Sequence, residues 1–252
     1  MPEIARVVEL WRYPVKSMLG EQLECLEVEA DGVVGDRAFA VYDAEADAFA
    51  SAKSVRHFGQ LFLHQASLGE DGAARITLAD GTVVRSDAGE VDDVLTGVLG
   101  RRARLVHRAE AHARWYTFHS VTDRAERTKP SYGRFVDSSP VHILSTATLA
   151  SLGDGTAEDA RRFRPNVVVD AGDGDPYPED AWVGRVVTIG DASLEVLERC
   201  ERCVMPSLAQ RGLPPDPDVR RRLLARTGDL AGVLARVIEP GGISRGDAVS
   251  VA

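Results

Sequence analysis

The 252 residues carry a net charge of −9, with 44% hydrophobic and 27% charged residues, which is ordinary globular usage with ample material for a core. A surface this acidic repels a phosphate backbone, so nucleic acid is not an expected partner. No apolar run reaches the roughly 18 residues of a spanning helix and Met1 to Lys16 lacks a signal-peptide pattern, so no membrane association and a cytoplasmic location are expected.

In chain order, the first hundred residues read as short strands. Val8, Leu10 and Val28 sit in β-favouring runs, and Asp31-Gly32, Gly69 to Gly72 and Asp80-Gly81 punctuate them as turns. Val91, Val94, Leu95, Val98 and Leu99 then repeat at helical spacing, with Asp87 as the expected N-cap and Gly100 as the stop. A strand follows at Arg104 to His107. From Ala109 to Ser139 the pattern is irregular, with aromatics at Trp115, Tyr116, Phe118, Tyr132 and Phe135, and reads as an ordered crossover or a lid. Val141 to Leu144 predicts a strand, Thr146 to Leu152 a helix, Ala157 to Phe163 a helical turn, and Val167 to Val169 a buried strand. After an acidic loop, Val186 to Ile189 and Leu194 to Leu197 form an expected hairpin, with Cys200 and Cys203 just beyond it. Asp218 to Arg226 predicts a basic helix; Val233 to Ile238 and Ala248 to Val251 are strands around a turn at Pro240-Gly241-Gly242.

Three cysteines, Cys25, Cys200 and Cys203, are too few for a disulfide framework or for an iron–sulfur cluster, which takes about four thiolates. Cys200-Glu-Arg-Cys203 has no second ligand pair for zinc, and Pro206 follows too soon for a redox motif at a helix start. Arg199 and Arg202 flank the pair and favour a thiolate, the form a soft metal binds. One sulfur buried as a small hydrophobe is an equally open reading. Only Lys16, Lys53 and Lys129 are lysines among 30 basic residues, which sets Lys16 in Tyr13-Pro-Val-Lys-Ser17 apart. An ammonium beside the Ser17 hydroxyl suits a phosphate, although taken alone the segment reads as a solvated loop. Asp36-Arg37 is either an ion pair at a turn or an arginine aimed at an anion. Arg164-Pro-Asn166 puts forked donors and an amide at a strand entrance, where they can read a pterin edge or simply make a turn.

Taken in order, Tyr13 to Ser17, Gly35-Asp36-Arg37, Phe163 to Asn166, Cys200 to Cys203, Pro240-Gly241 and Gly246-Asp247 resemble proteins that join a MOSC N-terminal β-barrel domain to a MOSC (molybdenum cofactor sulfurase C-terminal) domain. The resemblance implies an α+β, β-rich chain: residues 1–110 as the N-terminal β-barrel-like domain and 111–252 as a MOSC β-barrel with peripheral helices. It further implies a molybdopterin-type molybdenum cofactor with Cys203 as the metal ligand and catalytic thiolate. Lys16, Ser17 and Arg37 would grip the cofactor phosphate; Arg164 and Asn166 would line the pterin, with Ser138 and Arg202 close by. The implied activity is reduction of N-hydroxylated or N-oxide small molecules, with electrons from a ferredoxin- or cytochrome-like protein. Pyridoxal phosphate is not expected, because in that family it serves the desulfurase part. Two alternatives are a non-redox cofactor or sulfur carrier with a cysteine persulfide, and a metal-free thiol redox protein using Cys200 and Cys203.

Overall fold

The computed structural model describes residues 2–111, 116–119, 125–128, 134–153, 157–172 and 174–252. Trp115, Tyr132 and Lys129 lie outside the described residues. The organising element is a closed barrel of seven strands. In hydrogen-bonded order these are Val167–Asp170, Val141–Ser145, Leu230–Glu239, Ala192–Glu201, Val186–Ile189, Ala248–Val251 and Glu3–Arg12, the last pairing back to the first. All neighbours run antiparallel except Val141–Ser145 and Val167–Asp170. Closure removes the free sheet edges that would otherwise template aggregation.

Six of the seven strands come from the C-terminal half, and Glu3–Arg12 completes the ring from the other end of the chain. Ala5 and Val7 point inward by simple alternation. A register shift between Val7 and Glu9 then turns Leu10 into the core, while Val8 packs outside against Leu144, Leu149 and Val168.

The N-terminal half supplies a five-stranded sheet, with Phe39–Asp43 between Ala103–His107 and Ala48–Phe49, and a small sheet spanning Gln65–Leu68, Ala74–Thr77 and Val83–Arg85. Helix Val91–Leu99 buries Val91, Leu95 and Leu99 against this body, and Gly100 ends it in the left-handed conformation. Asp87 is not its cap; Glu90 occupies that position, and Asp87 instead pairs with Arg85 at 2.7 Å.

The helical turn expected at Ala157 to Phe163 is the 3₁₀ turn Ala160–Arg162. Two other elements depart from the sequence expectation. Pro240-Gly241-Gly242 does not simply turn: Gly241–Ser244 is a strand paired with Cys25–Glu29, which ties the C-terminal hairpin to the N-terminal half. A Cβ on Gly241 would sit 2.4 Å from the Asp191 carbonyl oxygen, which is why glycine stands there. The strand carrying the cysteines runs on to Glu201, so Cys200 lies within it and only Cys203 lies beyond.

Arg134, whose side chain is fully buried, donates to the carbonyls of Asp31 (2.8 Å), Gly32 (3.3 Å), Val33 and Asp36 (3.1 Å) and to the Asp31 carboxylate (2.7 Å). It thus fixes the loop that ends in Asp36-Arg37. Removing one partner of a buried, hydrogen-bonded charge costs about 3 kcal/mol or more, so Arg134→Met is expected to lower urea-unfolding stability by about that amount. A change below about 0.5 kcal/mol, ordinary for a surface site, would contradict this role.

Candidate functional site

At one rim of the barrel Val141–Ser145 and Val167–Asp170 begin and Glu3–Arg12 ends, while Ala192–Glu201 runs opposite to Glu3–Arg12 and comes alongside through Leu234, the shared ladder partner of His142 and Glu198. The loops leaving that rim enclose a cleft of about 190 Å³. All eight residues singled out from the sequence line it: Lys16, Ser17, Arg37, Ser138, Arg164, Asn166, Arg202 and Cys203. They are drawn from segments up to 187 residues apart (203 − 16) and meet only because the barrel closes.

Lys16 and Ser17 are not in a solvated loop. The segment Tyr13 to Ser17 lies beside Arg37 to Phe39, with Lys16 N–H donating to the Phe39 carbonyl (2.8 Å) and Arg37 N–H to that of Tyr13 (2.8 Å). Lys16 and Ser17 are 7% and 2% exposed. Pro14 stops regular pairing, and the chain then bends so that Ser17 has φ +66° while its Oγ accepts from Ala52 N–H (3.0 Å).

Backbone strain concentrates here. Ser17, Arg37 (φ +46°) and Arg164 (φ +57°) are three of the five non-glycine residues with positive φ among those described. Each such conformation costs on the order of 1–3 kcal/mol, and it persists where surrounding structure imposes it, typically at binding sites.

Arg37 and Arg164 stack on the Tyr13 ring, their guanidinium carbons 4.7 and 4.3 Å from its centroid. Arg37 is both things the sequence left open: it ion-pairs with the fully buried Asp36, and it also lines the cleft. Its other donors meet the Arg164 carbonyl (3.2 Å) and, at 3.4 Å, the Asn166 amide oxygen. Asn166 is likewise a structural link, accepting from His142 N–H (3.2 Å) and donating to the Trp11 carbonyl (3.3 Å). Arg164 donates to the Met18 carbonyl and forms no ion pair among the described residues. Burial, reinforced by the neighbouring Arg37 charge, pulls it down to about 10.

Five cations, Lys16, Arg37, Lys53, Arg164 and Arg202, face two carboxylates, Asp137 and Glu201, around the cleft. Asp137 bridges Lys16 (2.6 Å) and Lys53 (2.9 Å). Burial acts to raise its carboxyl, but the two ammonium groups outweigh that and hold it well below the usual carboxylate range. Burial pulls Lys16 below the ordinary lysine value against the pull of Asp137, whereas in Lys53 the attractions of Asp137 and Cys203 overcome burial and push it up.

The cysteines differ in place. Cys200 is buried in its strand and receives a 2.8 Å hydrogen bond from Arg202 Nη1; Cys203 is half-buried at the cleft wall. Arg202 also donates to the Phe163 carbonyl (2.6 Å), while its buried Nε has no partner among the described residues. Ser138 is exposed, and its hydroxyl donates to Glu198 (3.2 Å). No three His, Cys, Asp or Glu side chains converge as a metal-binding group among the described residues.

The sequence reading missed three cleft residues. Lys53 was detectable by the same scarcity of lysine that marked Lys16, since both line the cleft. Asp137 stands beside Ser138 in a short segment, Asp137 to Pro140, that resembles one near the site, but was given no role of its own; His142 carried no local signal. His142 is 5% exposed, its Nε2 donates to the Ala231 carbonyl (3.1 Å), and Gly232 (φ +75°) makes room for it, because a Cβ there would lie 2.5 Å from that nitrogen. Burial, with Arg202 and Arg37 nearby, pushes its imidazole down to about 3.

Because the folded value of His142 lies below the unfolded 6.5, the unfolded chain binds the extra proton first, and stability is lost as pH falls from about 6.5 towards 3. His142→Gln keeps a donor but cannot titrate. The parent is expected to lose more unfolding free energy than the variant between pH 6.5 and 4, measured by denaturant titration; parallel losses would contradict a buried neutral imidazole.

Residues 4–119 match the MOSC N-terminal beta barrel domain and residues 130–250 match the MOSC domain. Mitochondrial amidoxime-reducing component 1 of Homo sapiens is 28% identical over 244 residues, covering 86% of this chain and 68% of that protein. Mitochondrial amidoxime reducing component 2 of Bos taurus is 24% identical over 250 residues with the same coverage. Among solved structures, the YUAD protein from Bacillus subtilis shares the fold at a TM-score of 0.50 and 15% identity, over 98% of this chain and 94% of that one. No helix among the described residues is long and apolar enough to cross a membrane. The strand-rich chain with its closed barrel belongs to the family that joins a MOSC N-terminal beta barrel domain to a MOSC domain.

Proposed function

We propose that the cleft holds a molybdopterin-type molybdenum cofactor through Cys203 and serves a reductase of N-hydroxylated or N-oxide small molecules. The observation that carries this reading is the meeting of a half-buried thiol with a surplus of cations, among them the buried Lys16 and the strained Arg37 and Arg164, in one cleft of an acidic protein. The donor set fits such a group. Among the described residues Arg164 lacks a carboxylate and Arg202 Nε lacks an acceptor, and the cation surplus calls for an anion. In this reading Lys16, Ser17 and Arg37 hold the cofactor phosphate, Arg164, Asn166, Ser138 and Arg202 flank the pterin, and the Cys203 thiolate binds the metal. When bound, the cofactor supplies two-electron oxygen-atom transfer from an N–O bond.

The chain's own residues set the conditions for that chemistry. The Lys53 ammonium stays protonated and places a positive charge within electrostatic reach of Cys203. Converting N–OH to N–H releases water and consumes two electrons and two protons. Three cysteines cannot build a four-thiolate cluster and no dinucleotide fingerprint is present, so the electrons come from a separate ferredoxin- or cytochrome-like protein.

The test is molybdenum and pterin analysis of protein made in a cofactor-competent host. Both are expected in the parent at near-equal molar amounts. Lys16→Ala should weaken retention about ten- to a hundredfold, the worth of a charge-assisted contact, with little loss of fold because Lys53 remains to pair Asp137. Arg37→Ala is the poorer probe, since it strands the buried Asp36 carboxylate. Absence of both metal and pterin from the parent overturns the reading; sulfane sulfur on Cys203 in such protein would favour a sulfur carrier. Loaded protein with NADH alone should not reduce benzamidoxime, and turnover should appear on adding a reduced electron-transfer protein. Turnover with NADH alone would refute the external donor.

A further inference from the structure

The segment from Tyr13 to Gly20 has two sides. Lys16 and Ser17 face the cleft already described, whereas Tyr13, Leu19 and Gly20 line a separate cavity of about 200 Å³. Trp11, Gln65, Arg161 and Arg211 complete its wall.

Tyr13 is 1% exposed, yet its hydroxyl has no hydrogen-bond partner among the described residues. A buried, unsatisfied hydroxyl is rare enough to require an explanation. Burial raises its ionisation well above the usual phenol range, so it stands as a donor at any ordinary pH. Arg164 and Arg37 stack on the ring of the same residue and make the site electropositive.

Both arginines of the cavity keep donors in reserve. Arg161 engages Asp159 through Nε and Nη2 (2.6–3.1 Å), leaving Nη1 without a protein acceptor among the described residues. Arg211 spends Nη1 on the Leu78 carbonyl (2.8 Å), leaving Nε and Nη2. The nearby carboxylates are committed: Asp159 to Arg161, and Glu9 to the Trp11 indole N–H (2.7 Å). Buried donors and acceptors without partners recur next door, at His64 Nε2 and the Gln210 amide, whose chain neighbours Gln65 and Arg211 line the cavity.

We propose that this cavity is a second anion site, taking a phosphate-sized oxyanion on Arg161, Arg211 and the Tyr13 hydroxyl. It shares no lining residue with the main cleft, and the two meet only through Arg37 and Arg164 stacked on Tyr13. The oxyanion is either free or the phosphate of a larger molecule.

The experiment is calorimetric titration with inorganic phosphate in a Lys16→Ala background, which weakens competing binding in the cleft. Saturable binding is expected, and Arg161→Ala and Arg211→Ala should each weaken it about tenfold or more. Both arginines are partly exposed, and unfolding curves of the variants check that they fold. Tyr13→Phe separates a binding hydroxyl from a packing one. It should raise the thermal midpoint without phosphate, by removing an unsatisfied group, and reduce the additional rise that phosphate gives. A parallel series with a nucleoside diphosphate tells the sources apart: tighter binding with the same arginine dependence identifies a phosphate ester, and binding no tighter than phosphate identifies the free ion. Absence of saturable binding of either probe, or binding indifferent to both arginine variants, overturns the second site.

Discussion

Arg37 and Arg164 press their guanidinium groups onto the same Tyr13 ring, and the only carboxylate in contact with that pair among the described residues is the buried Asp36, bound to Arg37. Like charges this close repel, and the repulsion adds to burial in lowering the Arg164 value. The fold tolerates it because other groups hold each residue in place. Asp36 accepts Tyr13 N–H (2.8 Å), Arg134 clamps the loop before Arg37, the Met18 carbonyl accepts from Arg164, and the Asn166 amide oxygen accepts from Arg37. A bound anion offsets the repulsion directly. Stability is thus given up locally to present positive charge, the exchange expected at a binding site rather than in a structural core.

The barrel makes this possible by joining distant pieces of chain. Glu3–Arg12 delivers Tyr13 to Ser17 to the rim, while Val167–Asp170, paired beside it, delivers Arg164 and Asn166. Trp11 N–H donates to the Asn166 carbonyl at 2.9 Å, so the two deliveries share one register. Asp247 secures the same strand lower down, its carbonyl accepting Val7 N–H (2.9 Å) and its carboxylate accepting Ser244 N–H (2.7 Å). The closing Gly246-Asp247 motif therefore belongs to barrel closure and not to the cleft.

Local patterns carried the sequence reading where the determinants are local. Helix Val91–Leu99, helix Pro217–Thr227 and the hairpin from Val186 are set by spacing, caps and turn residues within a few positions. Asp87 failed as a cap because Arg85 competes for it, and Gly241 was read as a turn because its partner strand lies more than 200 residues away (241 − 28 = 213). Seven of the eight candidate residues were legible in the ordered short motifs and Ser138 in the less specific segment Asp137 to Pro140, whereas Arg134 and His142 act through partners far along the chain and leave no local pattern. Tyr13 was visible as a motif letter, but its use as a shared platform for two arginines was not.

The two cysteines give the proposed chemistry its clearest asymmetry. Cys200 is enclosed in a strand with its sulfur occupied by Arg202, and Cys203 sits at the cleft wall within the electrostatic reach of Lys53. The most direct test compares molybdenum content, metal spectrum and N-reduction rate in Cys203→Ser and Cys200→Ser protein from a cofactor-competent host. A hydroxyl is a harder ligand than a thiolate, so Cys203→Ser is expected to alter the spectrum and abolish turnover while Cys200→Ser keeps the metal and most of the rate. Matching losses in both variants, or a loss confined to Cys200→Ser, would contradict Cys203 as the single protein ligand.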